Sequence, residues 1–379
     1  MQQCLIYRAS DCVDGICSQS RIIHLLFTDD NIKTVRRGGF MAYREGKHTV
    51  CLPSMPAVAG YAAVGGKKEG EGPLGPLFDF VYEDSSAGEK NWEKAESIIH
   101  GDAVKLAITK SGRTPQDIDM IFAGDLLNQC IGTTFGIRET GIPFAGVYGA
   151  CSTMALSMAL AAMSVDGGFA KTVVASTSSH FCSAERQFRM PLEYGGQRTP
   201  TAQWTATAAG ATVISDEKSR ARVEKILIGT IQDYGVTDAN NMGAAMAPAA
   251  CRTIADFLTD TDTVPEDYDM ILTGDLGAVG ANLLCELMVK QENTDISSVH
   301  NDCGLIIYSK NQSVGAGGSG CGCSGAVLCA DILPRIERGE LKKVLFVGTG
   351  ALLSGTSTLQ GESIPSIAHA VLITGGDEK

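Results

Sequence analysis

The sequence has no apolar run close to the roughly 18 residues that a membrane-spanning helix needs. Its longest apolar stretch, residues 153–165, is interrupted by Ser157 and Ser164. A secretory signal is also missing, because Asp11 and Asp14 fall where its apolar segment would have to lie. The sequence therefore predicts neither a membrane-spanning helix nor a secretory signal.

A surplus of positive charge is missing as well. The 379 residues include 31 Lys and Arg against 43 Asp and Glu, which gives a net charge of −12. Proteins that bind nucleic acid, or that attach to a membrane surface through a basic face, carry clusters of basic residues. We therefore expect neither kind of protein here.

The 13 cysteines are odd in number and scattered, which predicts reduced thiols in a cytosol-type compartment and not a disulfide framework.

The chain repeats itself at an offset of about 150 residues. Residues 115–126 read PQDIDMIFAGDL and residues 265–276 read PEDYDMILTGDL, with identical residues at eight of twelve positions. A second matched pair is Ala150-Cys151-Ser152 and Gly322-Cys323-Ser324, where a cysteine opens an apolar helix that leads to a strand. Short apolar strands alternating with helices predict mostly parallel sheets covered by helices.

We therefore predict an α/β protein with two duplicated β-α-β-α-β halves, at 46–218 and 219–376. Such halves usually pack about a pseudo-two-fold axis with a shared pocket, although a duplicated scaffold without pocket chemistry is the alternative. Residues 1–45 fit neither half. We expect that they are an extension with a misassigned start and that Met41 is the true initiator, because codons for the preceding Arg-Arg-Gly-Gly can contain a ribosome-binding sequence.

Cys151 is the first candidate for chemistry. It lies in Gly-Ala-Cys-Ser-Thr, between a strand-like run and an apolar helix. The positive end of a helix dipole lowers a thiol pKa, so this position favours a thiolate nucleophile. The alternative is an inert buried thiol at a helix start made of small residues.

A nucleophilic cysteine needs a base or an oxyanion partner. His180 ends the strand that follows the Cys151 helix, so we expect it near the same pocket, with a hydrogen-bonded loop histidine as the alternative. His100 falls in what reads as an exposed helix face, and His369 reads as a hydrogen-bonded core residue.

The segment 183–204, SAERQFRMPLEYGGQRTPTAQW, places Arg186, Arg189 and Arg198 among aromatic residues that include Tyr194. Arginines interleaved with aromatics suit planar carboxylates, which they bind by paired hydrogen bonds and stacking. An ordered loop with structural ion pairs explains the same residues equally well.

A glycine-rich loop, GAGGSGCGCS at residues 315–324, precedes a helix in the second half. Backbone N–H groups in such a loop can cradle an anion. An acidic ribose partner about 20 residues later is missing, so a dinucleotide site is not favoured. Cys321 and Cys323 are too few and too close for a zinc site, so we expect no metal and no cofactor.

Long strings then identify a resemblance: GACSTM (149–154), AERQFRMPLEYGGQ (184–197), DYDMILTGDL (267–276), GGSGCGCS (317–324) and ESIPSIAHAV (362–371). The chain resembles the thiolase and ketoacyl-synthase superfamily and, more closely, the stage V sporulation protein AD family of spore-forming bacteria. The resemblance runs from about residue 66 to 371.

This resemblance implies a thiolase-like fold with α-β-α-β-α layers and, by analogy, a homodimer. It implies a spore protein that binds dipicolinic acid, or its calcium chelate, for uptake into the developing forespore. Membrane proteins of the same sporulation operon are the implied partners. The implied location is peripheral, at the forespore inner membrane, for a chain of soluble, cytoplasm type.

Two departures from the condensing enzymes matter. Those enzymes need a histidine after the strand that aligns with residues 270–273, where this chain has Asp275. They need Asn or His in the glycine-rich loop, where the aligned residue is near Ser319, and the second cysteine of thiolases is also missing. We therefore expect little or no condensing activity, because oxyanion stabilisation would be lost.

The predicted ligand site uses Arg186 or Arg189 for one carboxylate, N–H groups near Cys151 and Ser152 or near Ser319 for the other, and His180 as a donor. The remaining predicted site residues are Tyr194 and Cys321. The alternative function is an acyltransferase with Cys151 as nucleophile on a coenzyme A thioester. A third is an adaptor that docks on membrane partners and binds no small molecule.

Overall fold

The computed structural model describes residues 42–188 and 198–376, together with two two-residue strands at Val35–Arg36 and Gly39–Phe40. The proposed initiator Met41 and two predicted ligand residues, Arg189 and Tyr194, lie outside the described residues.

Ten strands form two five-stranded sheets that are joined edge to edge, and three short strands pair with them. The strands of the first sheet are β1 (Ala57–Gly65), β2 (Met120–Gly124), β3 (Phe144–Gly146), β4 (Thr172–Ser179) and β5 (Ala208–Ser215). The strands of the second are β6 (Ala221–Ile228), β7 (Met270–Thr273), β8 (His300–Asp302), β9 (Lys343–Ala351) and β10 (Ser366–Gly375).

The two sheets have the same topology. Their strand orders are β1-β5-β4-β2-β3 and β6-β10-β9-β7-β8. In each, the last three strands are parallel, while β5 and β10 run antiparallel to both neighbours. The sheets meet where Arg222 of β6 pairs with Ala57 of β1. The sequence repeat thus corresponds to a structural repeat, as predicted.

Seven helices matter for the site. They are α1 (Trp92–Lys110), α2 (Ile131–Ile137), α3 (Thr153–Asp166), α4 (Phe181–Phe188), α5 (Met242–Thr261), α6 (Gly277–Glu292) and α7 (Cys321–Val327). Shorter elements are the strands Tyr43–Glu45, Thr49–Cys51, Phe80–Val81, Trp204–Thr205 and Gly318–Ser319 and the helices Lys67–Gly70, Cys303–Ile306, Leu333–Glu337 and Gly355–Leu359.

Helix α3 forms the central layer together with α7. It reads TMALSMALAAMSVD, with one charged residue at its end, and it contacts β2 and β4 of one sheet and β9 and β10 of the other. A helix that is apolar on all sides belongs in a core. Helix α1 covers the outer face of the first sheet and α5 that of the second. The expected α-β-α-β-α layering of a thiolase-like fold is therefore present.

His100 is a correction to the sequence analysis, because it is fully buried and not on an exposed face of α1. Its Nε2 is 2.9 Å from Ser176 Oγ, and its Nδ1 is 3.0 Å from Ser178 Oγ. The serines of β4 give the imidazole polar partners inside the core, which the α1 sequence alone does not reveal. Burial lowers the pKa of His100 to about 3, so the ring is neutral.

None of the helices in residues 42–188 and 198–376 combines the length and the apolar character needed to cross a bilayer.

Candidate functional site

Cys151 lies in a tight turn just before α3. Ala150 has a positive φ of 49°, and Thr153 N–H and Oγ1 both donate to its carbonyl oxygen. Ser152 Oγ donates to Gly149 O at 2.6 Å. This turn directs the Cys151 side chain away from the helix axis and leaves it 4% exposed.

Strand β9 passes very close to this turn, and two glycines allow it. A Cβ atom at Gly350 would lie 2.3 Å from Gly149 O, and one at Gly348 would lie 2.7 Å from Ala155 Cβ. Contacts this short are not tolerated between real side chains and backbone. The glycines of the GTGALLS segment therefore bring the second sheet against the cysteine turn.

Asp275 is the residue that faces Cys151 from the second sheet. It follows β7, is fully buried, and accepts hydrogen bonds from Ser319 Oγ (3.2 Å), Gly320 N–H (2.8 Å) and Thr349 Oγ1 (2.9 Å). The thiol of Cys151 is a further hydrogen-bond partner of this carboxyl group. The anion held by the glycine-rich loop is thus the side chain of Asp275 itself.

Burial and charge decide the protonation state of the thiol. Burial raises the pKa of Cys151 well above its ordinary value, and the nearby Asp275 charge raises it further. The expected effect of the α3 dipole, a lowered pKa, is outweighed. Of the two interpretations of the sequence, a thiolate nucleophile and a buried inert thiol, this environment favours the buried, neutral thiol near pH 7.

Cys151 and Ser319 line a small cavity of about 30 Å³. Leu126 and Tyr148 line it from the first sheet, and Ala184, Glu185 and Phe188 line it from α4. Residues of the second half complete the wall: Met242, Ser319, Ala351 and Leu353. The cavity shares Tyr148, Phe188 and Leu353 with an open groove formed by residues 127–130 and 352–359. The groove and the cavity beside the thiol therefore share a wall.

Two predicted site residues, Ser152 and Cys321, lie beside Cys151 but do not line this cavity. Ser152 is fully buried and bonded to its own turn. Cys321 is also fully buried, contacts the cluster that contains Cys151, and donates its S–H to Ser178 O at 3.0 Å. Both side chains therefore pack beside the cysteine turn, outside the cavity.

His180 does not line the cavity either. Its Nε2 bonds to Ser85 O at 2.6 Å, and its Nδ1 accepts from Cys182 N–H at 3.1 Å, which fixes the tautomer with the proton on Nε2. The ring stacks on Trp92 with centroids 5.6 Å apart. Burial lowers the pKa of His180, so it is a neutral, fully bonded ring.

The described arginines of the 183–204 segment point in different directions. Arg186 pairs with Glu93 of α1, and its side chain is half exposed. Arg198 donates to Glu185 Oε1 at 3.0 Å, and Glu185 lines the cavity. Arg198 is therefore the one of these two cations that reaches the cavity wall.

Asp275 lies where the condensing enzymes have a histidine, and the residues predicted for the site do not include it. Its repeat partner Asp125 accepts from its own loop, at Leu127 N–H (2.8 Å) and Thr133 N–H (2.7 Å). In the second half, Asp302 accepts hydrogen bonds from the N–H groups of the equivalent loop, at Leu276 and Gly277. Asp275 is therefore not needed for this loop and faces Cys151. The signal in the sequence is the extra aspartate at the end of β8.

Within the described ranges, no group of three His, Cys, Asp or Glu side chains is arranged to hold a metal ion.

Comparison with known structures supports the fold. Acetyl-CoA acetyltransferase from Syntrophomonas wolfei matches with a TM-score of 0.54 and 13% identity, over 84% of this chain and 98% of that chain. 3-Oxoacyl-[acyl-carrier-protein] synthase III from Aquifex aeolicus matches with a TM-score of 0.52 and 13% identity, over 84% and 99%. Identities this low establish a shared fold alone.

The sequence comparisons are more specific. The stage V sporulation protein AD of Bacillus subtilis (strain 168) is 46% identical over 314 residues, which covers 83% of this chain and 92% of that protein. The family model for stage V sporulation protein AD (SpoVAD) matches residues 46–374. This thiolase-like chain, with an aspartate against its buried cysteine, belongs to the stage V sporulation protein AD family.

Proposed function

We propose that the cavity beside Cys151 binds dipicolinic acid, or its calcium chelate, for uptake into the developing forespore. One observation carries the proposal. This thiolase-like chain has a cavity beside Cys151, and the cysteine in it is a neutral thiol that is hydrogen-bonded to the carboxyl group of Asp275. The cavity of about 30 Å³ does not hold an aromatic dicarboxylate alone, but it shares its wall with the adjoining groove of about 700 Å³, which lies within the range typical of small-molecule sites.

The same contact argues against acyl transfer. Condensation requires donors placed where negative charge develops on the substrate oxygen. Here the groups next to Cys151 are the Asp275 carboxyl group and the Ser319 hydroxyl, and the Ser319 hydroxyl and Gly320 N–H are already committed to Asp275. A carboxylate in this position opposes a developing oxyanion, so the cavity suits binding without covalent chemistry.

Calorimetric titration of the full chain with dipicolinic acid, with and without calcium, tests this function. The control ligand is an isomer with one carboxylate moved on the ring. Selective binding of dipicolinic acid is the expected result. No binding, or equal binding of the two isomers, would refute the proposal.

The alternative function is acyl transfer from a coenzyme A thioester to Cys151. It is favoured by one observation, the open groove that shares a wall with the cavity beside the thiol. Incubation with acetyl-coenzyme A followed by intact-mass measurement separates the two functions. A mass increase that is lost in Cys151→Ala would establish acyl transfer, and we expect no such increase.

We also propose that the protein works as a homodimer next to the membrane proteins of its operon. Strand β3 is an open sheet edge, and exposed aromatic side chains surround it, at Phe135 and Phe144. A second copy that pairs along β3 would cover this edge and these side chains.

A further inference from the structure

The ion pair between Glu185 and Arg198 lies at the wall of the cavity. Glu185 is 7% exposed and lines the cavity, and Arg198 Nη1 is 3.0 Å from its Oε1. The Arg198 side chain is about one-third exposed. The pair therefore joins a nearly buried carboxylate to a cation that solvent or a ligand can reach.

Two aromatic rings hold Arg198 in place. Phe181 and Trp204 stack with centroids 3.7 Å apart and planes within 8°. The Arg198 guanidinium lies over both rings, 5.4 and 5.6 Å from their centroids, and it also donates to the carbonyl oxygen of Gln203. Arginine stacked in this way keeps its planar donor group oriented, which lowers the entropy cost of binding a carboxylate.

Among the described residues, the charged groups that line or adjoin the cavity are acidic, apart from Arg198. Asp275 lies behind Cys151, and Glu185 is in the wall, whereas none of the described residues that line the cavity is a lysine or arginine. A dicarboxylate that entered would meet these acids without compensation, and burial of an uncompensated anion is costly. Arg198 is the cation placed to relieve this, but Glu185 already occupies it.

We infer that Glu185 is a tethered competitor for Arg198 and that a carboxylate of the ligand binds by taking over the guanidinium from Glu185. This inference rests on the proposed function, whose ligand carries two carboxylates. The exchange replaces the Glu185–Arg198 ion pair by one between the ligand and Arg198, so the affinity equals the strength of the new pair less the cost of removing Arg198 from the nearly buried Glu185. Arg198 and Glu185 thereby become the residues that determine specificity.

The experiment is a calorimetric titration of full-length variants with dipicolinic acid. Glu185→Gln removes the competing charge, so dipicolinic acid should bind about tenfold tighter than to the wild type. Arg198→Ala should weaken binding at least about tenfold, and Arg198→Lys, which keeps the charge but not the paired donors, should fall between. Thermal melting without ligand identifies any variant that fails to fold.

The matched control is Glu217→Gln. Glu217 pairs with Arg113 at 2.8 Å, beyond the far end of β5, and its substitution should leave the affinity unchanged. Folded Glu185→Gln with unchanged or weaker affinity, or folded Arg198→Lys with wild-type affinity, would overturn the inference while leaving the proposed function intact. Absence of binding to the wild type and to Glu185→Gln alike would instead refute the proposed function.

Discussion

The thiol of Cys151 is a hydrogen-bond partner of the Asp275 carboxyl group, and the two residues come from opposite halves of the repeat. Burial raises the pKa of both groups. The Cys151 thiol therefore keeps its proton near pH 7, whereas covalent catalysis requires a thiolate and a base.

The first prediction concerns the reactivity of this thiol. Asp275→Asn removes the negative charge that raises the pKa of Cys151, so the thiolate fraction near pH 8 should increase about tenfold. Peptide-resolved mass spectrometry after timed iodoacetamide treatment measures the rate. Cys285, on the outer helix α6, is an internal reference whose rate should not change. A wild-type Cys151 that already reacts at a pH-independent rate near pH 7 would contradict this prediction.

The second prediction concerns the close approach of β9 to the cysteine turn. Gly350→Ala would place a Cβ 2.3 Å from Gly149 O, so the free energy of unfolding should fall by about 3 kcal/mol, or folding should fail. Gly355→Ala is the control, because its nearest neighbour would be 3.7 Å away. Urea unfolding of both variants gives the comparison. Equal stabilities would show that the turn can move aside.

The third prediction concerns acid sensitivity at Asp260. Its carboxylate accepts from the N–H groups of Lys47 (2.9 Å), His48 (2.6 Å) and Thr49 (2.7 Å). Partial burial alone would raise the pKa of Asp260, but these hydrogen bonds outweigh it and the pKa is lowered.

A carboxyl group whose pKa is lower in the folded state stabilises the protein above its unfolded value of about 3.9 and loses that effect as pH falls further. Asp260→Asn should therefore cost about 1 kcal/mol at pH 7 and progressively less below about pH 4. Urea midpoints across this range measure the difference, with Asp262→Asn as the control. A cost that stays constant down to pH 3 would be inconsistent with this assignment.

The fourth prediction concerns the open sheet edge. Phe144→Glu places a charge on β3, where a second copy would pair, so the dimer should dissociate to monomers at micromolar concentration. Light scattering coupled to gel filtration measures the mass. Phe169, which is 82% exposed elsewhere, supplies the control Phe169→Glu, which should remain dimeric. A wild type that is already monomeric would refute the proposed dimer.

The sequence indicates a segment, residues 183–204, that contains candidate ligand-binding arginines, but it does not show which arginine lies near the cavity. Glu185 and Arg186 are adjacent on α4, so their side chains point about 100° apart around the helix. Glu185 faces the cavity and Arg198, while Arg186 faces Glu93 of α1. Which face meets the cavity depends on how α4 packs, and its partners are distant in sequence.

The duplicated fold follows from the sequence alone. The same local pattern of apolar strands, turns and helices occurs twice, as the repeated segments at 115–126 and 265–276 show. Because the pattern is repeated, the two sheets have the same strand order. The family membership follows from the long matching strings in the same way. The fold and the family membership depend on patterns of residues that are close together in the sequence, so the sequence alone reveals them.

The different roles of the repeated aspartates depend on the packing of the folded chain. Asp125 and Asp275 occupy the same position in the repeat, yet Asp125 bonds its own loop and Asp275 faces Cys151. The difference arises because Asp302, at the end of β8, takes over the loop amides in the second half. Residues 124 positions apart thereby become a thiol–carboxyl pair, since only the packing of the two sheets brings them into contact.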